Sequence, residues 1–338
     1  MSDNISNSST ALSPPLDIVV CEDEASLSVQ QPLLTHLYFG DSGDTDHNYL
    51  SIQTELELLG SNLFAQYWFT DQQVDRARYK NIQYAHTAQM MFGLIQLPCS
   101  TDENFQALTH KAYCEIYECL QNTSCKHLLR TWNFFPQITE ADTQHSQQNR
   151  YEVFCHGRLQ AMHDSGIKTK VYPAATVIGS HDSHLQIYFL ASDTPGTAVE
   201  NPRQTSAYHY PVDNDYTQPL FSRGLLKTWG QRTHFYVSGT ASIVGHETLH
   251  IDDVCAQLNE SINNVETLVA HANDKYSTQL NAQDDLLYMK VYIRHRDDVE
   301  QINQVLAARL SSNTPRALLL GDMCRENLLV EIEAFYQA

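Results

Sequence analysis

Long apolar runs, paired cysteines and an excess of positive charge are all missing from this chain of 338 residues. No stretch approaches the roughly 18 consecutive apolar residues of a membrane span, so no membrane-spanning helix is expected. The opening MSDNISNSSTALSPP is polar and has no arginine, unlike a signal or transit peptide, and residues 1–15 read as a flexible tail on a cytoplasmic protein. Glycine (13) and proline (11) are sparse, which excludes collagen-like and low-complexity classes. The eight cysteines (Cys21, Cys99, Cys114, Cys119, Cys125, Cys155, Cys255 and Cys324) contain no C-x-x-C pair. In a chain too long to need staples they read as reduced, structural thiols.

What is present is enough apolar material, 42% hydrophobic and 10% aromatic residues, to bury a sizeable core in two domains or one large one. The 21 Lys and Arg against 40 Asp and Glu give a formal charge of -19, which repels nucleic acid and anionic membranes at long range. An anionic small substrate must then be met by a local pocket of arginines. No G-x-S-x-G, G-x-G-x-x-G or P-loop occurs, so hydrolase-elbow, dinucleotide and nucleotide readings have no anchor. His246-Glu247-Thr248-Leu249-His250 spells H-E-x-x-H, but zinc binding needs that motif on a helix, and here it reads as the connection from a strand to a helix. No metal is expected.

Short apolar runs at 16–20, 37–40 and 62–70 read as strands. Phe105, Leu108, Ala112, Ile116 and Leu120 fall at helical spacing and predict a long helix over 102–130 with Asp102 as cap. The stretch RYEVFCHGR (150–158) gathers arginines and aromatics, as site-bearing loops do. Strands are predicted at 170–178 and 185–190, and the Pro-, Tyr- and Arg-rich segment 200–223 has no clean period. The C-terminal third predicts strand 234–238, helix 252–272, strand 286–293, helix 297–310, and strands 316–320 and 328–334. That order suggests helices on one face of a mixed sheet.

Alternation in LLVEIEAF puts Glu331 and Glu333 on one face of a strand, opposite Val330 and Ile332. They are either a solvated stripe or functional, the latter if one is desolvated into a general acid. Arg316 begins the preceding strand, so antiparallel pairing could bring it near Glu331. Tyr208 and Tyr210 share a face if their segment is extended.

The stretches SGTASIVG (238–245), DDVCAQLNESINNVETLV (252–269), DLLYMKVYIRHRDDVEQIN (285–303), PRALLL (315–320) and LLVEIEA (328–334) resemble the Rid (YjgF-like) family. The further stretches RTWNFFPQI (130–138), RYEVFCHGR, ENPRQTSAYHYP (200–211) and FSR (221–223) resemble chorismatases over nearly the whole chain. The resemblance implies an α+β fold of two Rid/YjgF-like (chorismate-mutase-like) units, each a mixed sheet with helices on one face, divided into 16–215 and 216–338. It implies release of pyruvate from chorismate without metal or organic cofactor. By motif, Arg316 would contact a substrate carboxylate and Glu331 would protonate the enolpyruvyl group. Arg158, Arg203 and Arg223 would complete the clamps, Tyr208 and Tyr210 would donate hydrogen bonds, and Gly239, Thr240 and Ala241 would line the cleft. Cys324, seven residues before Glu331, looks like the cysteine of hydroxybenzoate-forming members, so the expected product is 3-hydroxybenzoate, 4-hydroxybenzoate or both. The competing readings are hydrolysis to a dihydroxycyclohexadiene carboxylate, a Rid-type imine deaminase, and a silent binder of an aromatic carboxylate. Two units in one chain can complete the cleft internally, so a monomer is expected, with the trimer of short Rid proteins as the alternative.

Overall fold

Four helices and three main β-sheets make up the computed structural model, which describes residues 15–21, 31–40, 49–54, 56–61, 63–99, 104–141, 148–169, 171–211 and 218–338. All of the expected tail but residue 15 lies outside the described residues, as does the expected cap Asp102. Helix α1 (Phe105–Gln121) is instead capped by Asn104, whose side chain accepts from the Ala107 amide, and it buries the five predicted apolar positions. It stops at Gln121, nine residues before the expected end, with Asn122 as its C-cap, and His127–Pro136 forms a strand. That strand lies between two neighbours and is buried over most of its length. Its side chains therefore do not alternate, and its leucines extend the helical pattern only by coincidence.

The expected site loop at 150–158 is helix α2 (Arg150–Asp164). Asn149 and Glu152 form a reciprocal capping box there, a start signal legible as N-x-x-E. Helices α3 (Val254–Tyr276) and α4 (Val299–Arg309) fall where predicted, with Asp253 capping α3.

The strands resolve into two copies of one topology. In the first copy the chain order is strands 75–79, 82–86 and 90–98, α1, strand 127–136, α2, and strands 174–180 and 184–192. In the second it is strands 197–199, 224–229 and 232–237, α3, strand 286–293, α4, and strands 316–320 and 330–337. Numbering the six strands within each copy, both sheets run 1-2-3-6-4-5. In both, strands four and five are parallel and joined through a helix, the connection that parallel pairing requires. The boundary expected near 215 thus falls between strands one and two of the second copy. The earlier part of the chain also adds Glu57–Leu59 to the edge of the second sheet, against Arg316–Leu320. A four-stranded sheet of 17–21, 63–69, 33–40 and 50–53 completes the fold.

Each repeat turns one sheet face to its own helices and the other to the centre. Phe135, Ile187 and Phe189 pack with α1 and α2, while Val330, Ile332, Ala334 and Tyr336 pack with α3 and α4. The opposite faces meet the four-stranded sheet in one core. There Trp68 contacts Phe92, Trp132 and Phe335 at centroid distances of 5.3, 6.5 and 6.1 Å, so one ring joins all three sheets. Within the first sheet Phe189 lies across the strand from Gly93, and a Cβ on Gly93 would fall 2.3 Å from its ring. Gly93→Ala should therefore cost about 1–3 kcal/mol by overpacking, read as a lower urea midpoint with an unchanged slope.

A candidate active site between the two repeats

The final strand, Val330–Gln337, carries alternate side chains to opposite faces, so Glu331 and Glu333 both enter the central layer between the repeats. Both are buried, at 6% and 2% exposure, which rules out a solvated stripe. Their surroundings differ sharply.

Glu333 is fully partnered. Arg130 and Thr176 donate to Oε2 at 2.9 and 2.7 Å, Tyr292 donates to the same oxygen at 2.9 Å, and Trp132 Nε1 donates to Oε1 at 2.9 Å. Lys290 Nζ forms an ion pair with Oε1 at 2.9 Å. The Lys290 ammonium also lies within 6 Å of the Phe39, Trp132 and Tyr288 rings, one from each sheet. Burial favours the neutral acid, but Lys290, Arg130 and the hydrogen bonds outweigh it and hold Glu333 down to about 2.

Glu331 makes no hydrogen bond or ion pair to a described residue. Burial, then the negative charge of Glu333, push it up to about 8, against the weaker opposing pull of Arg130 and Arg223. Two carboxyls on one strand face are thereby divided into a fixed anion and a protonated acid, the pattern of acid–base sites. The Glu331 carboxyl rests on Gly239, where an added Cβ would lie 2.0 Å from Oε1. The glycine is held by its amide bond to the Ala175 carbonyl at 3.0 Å, a contact from the first repeat to the second.

Glu331 opens onto a pocket lined by both repeats. Of the residues expected at the site, Tyr210, Arg223, Gly239, Ala241 and Cys324 line it with Glu331. Arg223 Nη2 donates to the Tyr210 hydroxyl at 2.6 Å and to the Thr205 carbonyl at 2.8 Å. Burial pushes the Cys324 thiol up to about 12, keeping it neutral. Thr240 pairs with Ile332 in the adjoining backbone and turns its hydroxyl to the Ser238 carbonyl.

The other expected residues stand elsewhere. Arg203 is paired with Glu260 and Asn264. Tyr208 and Tyr210 do not share a face, because a 3-10 turn at Ala207–His209 separates them, and Tyr208 packs on Tyr172 instead. Arg158 lies over Tyr113 on the α1–α2 side. Arg316 does not neighbour Glu331, because strand 286–293 runs between their strands, with Met289 opposite Arg316 and Tyr292 opposite Glu331. Two strand spacings and three residues separate them, roughly 14 Å between backbones.

Sequence reasoning missed Arg325, Tyr151 and Phe221, which line the pocket, and the Arg130–Lys290 pair behind it. Arg325 lies 5.8 Å from the Tyr210 ring centroid and Arg223 5.6 Å, so one phenol contacts both guanidinium groups. Arg325 is fixed by donating to the His246 carbonyl at 2.9 Å and the Thr248 hydroxyl at 3.1 Å. That use explains the H-E-x-x-H segment, which forms a small hairpin through Glu247–Thr248 rather than a helix. Among the described residues no three His, Cys, Asp or Glu side chains converge as a metal-binding group.

The fold and the site define an α+β protein of two fused repeats whose shared cleft presents a protonated carboxyl to a cationic pocket. Residues 66–191 match the family model described as chorismatase FkbO/Hyg5-like, N-terminal. A chorismatase from Streptomyces rapamycinicus is 32% identical, over 80% of this chain and 81% of its own. A 3-hydroxybenzoate synthase from Streptomyces hygroscopicus is 30% identical, over 85% of this chain and 86% of its own. A chorismatase crystal structure superposes with a TM-score of 0.85 at 26% identity, covering 96% of this chain and 98% of the other. RidA from an Antarctic Psychrobacter aligns with 42% of this chain and 99% of its own, with a TM-score of 0.31 and 18% identity. The chain belongs to the chorismatase family.

The division of the two glutamates has opposite consequences for stability. Because Glu331 is raised from 4.5 to about 8, the folded chain holds a proton that the unfolded chain has lost between those values, so stability falls as pH rises through that window. Glu331→Gln should stabilise the fold by about 3 kcal/mol at pH 7 and have little effect at pH 4. Glu333→Gln leaves two buried cations without their anion and should cost about 3–5 kcal/mol. Urea titrations of both variants at pH 4 and 7 check this, and a destabilised Glu331→Gln at pH 7 would contradict the assignment.

Proposed function

We propose that the protein converts chorismate to pyruvate and a hydroxybenzoate, 3-hydroxybenzoate, 4-hydroxybenzoate or both, with Glu331 as the proton donor. The observation that carries this reading is the protonated, hydrogen-bond-free Glu331 facing Arg223 and Arg325 across one pocket. Chorismate is a dianion with an acid-labile enol ether, so it needs two cationic contacts and one acid. Two arginines in a half-desolvated cleft suit its two carboxylates, and they take the clamp role expected of Arg158, Arg203 and Arg316.

Glu331 delivers its proton to the terminal methylene of the enolpyruvyl group, leaving an oxocarbenium ion at the neighbouring carbon. The Glu331 carboxylate so formed lies beside that cation and stabilises it electrostatically. Departure of pyruvate breaks the ring C3–O bond. Loss of the C4 proton then gives 4-hydroxybenzoate, whereas 3-hydroxybenzoate forms when the C4 oxygen bonds to the cationic C3 and its bond to C4 breaks as the C3 proton is lost. In either case the proton released restores the acid. Hydroxybenzoate and pyruvate together account for every atom of chorismate, with no net water. Glu333 cannot take the donor role, since its five partners keep it ionised. Gly239 places the acid, and the neutral Cys324 thiol with Ala241 and Leu328 gives the pocket an apolar wall that supports an aromatic product over capture by water.

Incubation of the purified protein with chorismate, with pyruvate assayed and ring products separated against standards, tests the reaction. A hydroxybenzoate with equimolar pyruvate supports it, a dihydroxycyclohexadiene carboxylate overturns the product assignment, and the absence of pyruvate overturns the reaction. Glu331→Gln should lower kcat by about 10²–10⁴, and kcat of the unmodified protein should fall as pH rises through about 8, where the acid ionises. Arg325→Gln should act mainly on KM, raising it about tenfold. Gly239→Ala should lower kcat more than it raises KM, by displacing the Glu331 carboxyl.

A further inference from the structure

Cys324, Arg325 and Leu328 reach the catalytic pocket from one loop, residues 321–329, which links strands 316–320 and 330–337 with no helix of its own. Arg294, directly after strand 286–293, holds that loop from behind. Its Nε donates to the Leu328 carbonyl at 2.8 Å and its Nη1 to Asp322 Oδ1 at 2.8 Å. Its Nη2 donates to the Met323 and Arg325 carbonyls at 3.2 and 2.9 Å, and its backbone amide to the Leu329 carbonyl at 3.0 Å. One planar guanidinium thus collects three loop carbonyls and a carboxylate, which the rigid fork of arginine can do and a single ammonium cannot. The two carbonyls on Nη2 flank Cys324, and the one on Nε belongs to Leu328. Both side chains that join Ala241 in the apolar wall are therefore set by the same group.

The loop is also pressed against the first repeat. Asp322 and Gly179 exchange backbone bonds, a Cβ on Gly321 would lie 2.5 Å from Ile178 Cγ2, and one on Gly179 would lie 2.8 Å from Asp322 Cβ. Ala175 and Val177, on the same strand as Gly179, line the pocket. Gln257 of α3 holds the far end separately, donating to the Asn327 carbonyl and accepting from the Leu329 amide, both at 2.8 Å. Loss of the Arg294 fork would therefore release the segment around Cys324 while the loop stays attached. We propose that Arg294 is a positioning residue that decides the product, by holding Cys324 and Leu328 against the reacting ring so that water is kept from the cation. The proposal rests on chorismate being cleaved with Glu331 as the acid. With the wall released, water adds to the oxocarbenium carbon and returns a proton to Glu331. The hemiketal so formed breaks its bond to the ring oxygen, its hydroxyl proton passes to that oxygen, and pyruvate separates from a dihydroxycyclohexadiene carboxylate. One water is consumed per pyruvate, where the aromatic route consumes none.

Chorismate turnover by Arg294→Lys and Arg294→Met, with pyruvate and every ring product quantified, tests the assignment. The dihydroxycyclohexadiene carboxylate formed per pyruvate should rise about tenfold or more over the level given by the unmodified protein. Arg309→Met removes a comparable set of side-chain bonds from the same repeat, to Asn259, Asn263 and Glu266, and should leave that partition unchanged. Asp322→Asn loosens the charged end of the clamp and should shift the partition the same way by about threefold. This variant decides the matter if neither Arg294 variant folds. An unaltered partition in the folded variants of Arg294 or Asp322, or an equal shift in Arg309→Met, overturns the assignment. If the unmodified protein releases no pyruvate, or already forms the dihydroxycyclohexadiene carboxylate, the proposed function fails on its own, and the clamp is read without substrate. Iodoacetamide should then alkylate Cys324, located by peptide mass, about tenfold or more faster in Arg294→Lys than in the unmodified protein, and equal rates would overturn the clamp.

Discussion

The ionised Glu333 carboxylate is the interaction on which the central layer depends. It takes Arg130, Trp132 and Thr176 from the first repeat and Lys290 and Tyr292 from the second, so one side chain joins two sheets that share no continuous ladder. A buried ion pair is weak evidence for stability when its desolvation goes uncompensated. Here one anion faces two cations and several neutral donors, and the ammonium is further contacted by three aromatic rings. The network fixes the spacing of the repeats, and the spacing makes the cleft. Backbone bonds reinforce the same seam, with Gly179 and Asp322 exchanging N–H···O contacts of 2.7 and 2.9 Å.

The acidity of Glu331 follows from this arrangement. A carboxylate two residues from a fully ionised neighbour, on the same strand face and without donors of its own, is raised both by burial and by that neighbour's charge. Arg130 and Arg223 pull it down only weakly, since the hydrogen bond of Arg130 goes to Glu333. The same cations that hold the repeats together thus leave one acid protonated, and structure and reactivity cannot be altered independently at this strand.

Much of this was legible in the sequence. The alternation of LLVEIEAF placed both glutamates on one face, and the C-terminal helices and strands fell close to their predicted positions, because strong amphipathic periods specify local structure. The partners were not legible, because Arg130 and Lys290 stand in different repeats and meet only through the fold. Lys290 did leave a signal, as a single cation within the apolar strand LLYMKVYI, where burial demands a counter-charge. The arginines were the weakest part of the reading. Arg203 and Arg316 satisfied a motif or a composition, but Arg203 is committed to Glu260 and Asn264, and Arg316 is separated from Glu331 by an intervening strand. Arg325, directly after Cys324, escaped notice because its placement comes from a hairpin more than 70 residues earlier. The two repeated units were legible through the family resemblance and not through any period in the chain, since strand order is a property of pairing and leaves no common spacing.

A net charge of -19 sets a constraint that the catalytic pocket answers locally. At physiological salt the field of exposed carboxylates is screened over about 8 Å, while a buried guanidinium acts at contact in a medium of lower dielectric. Arg223 and Arg325 meet at Tyr210, and Arg158 lies over Tyr113. Arg223 and Arg325 are held by backbone carbonyls and one aromatic ring and are in no ion pair with a described residue, which leaves their charge available to a ligand. Arg203 and Arg309, by contrast, are paired with Glu260 and Glu266, and their charge is spent within the fold. In an acidic protein the arginines without acids therefore mark the places where an anion can bind.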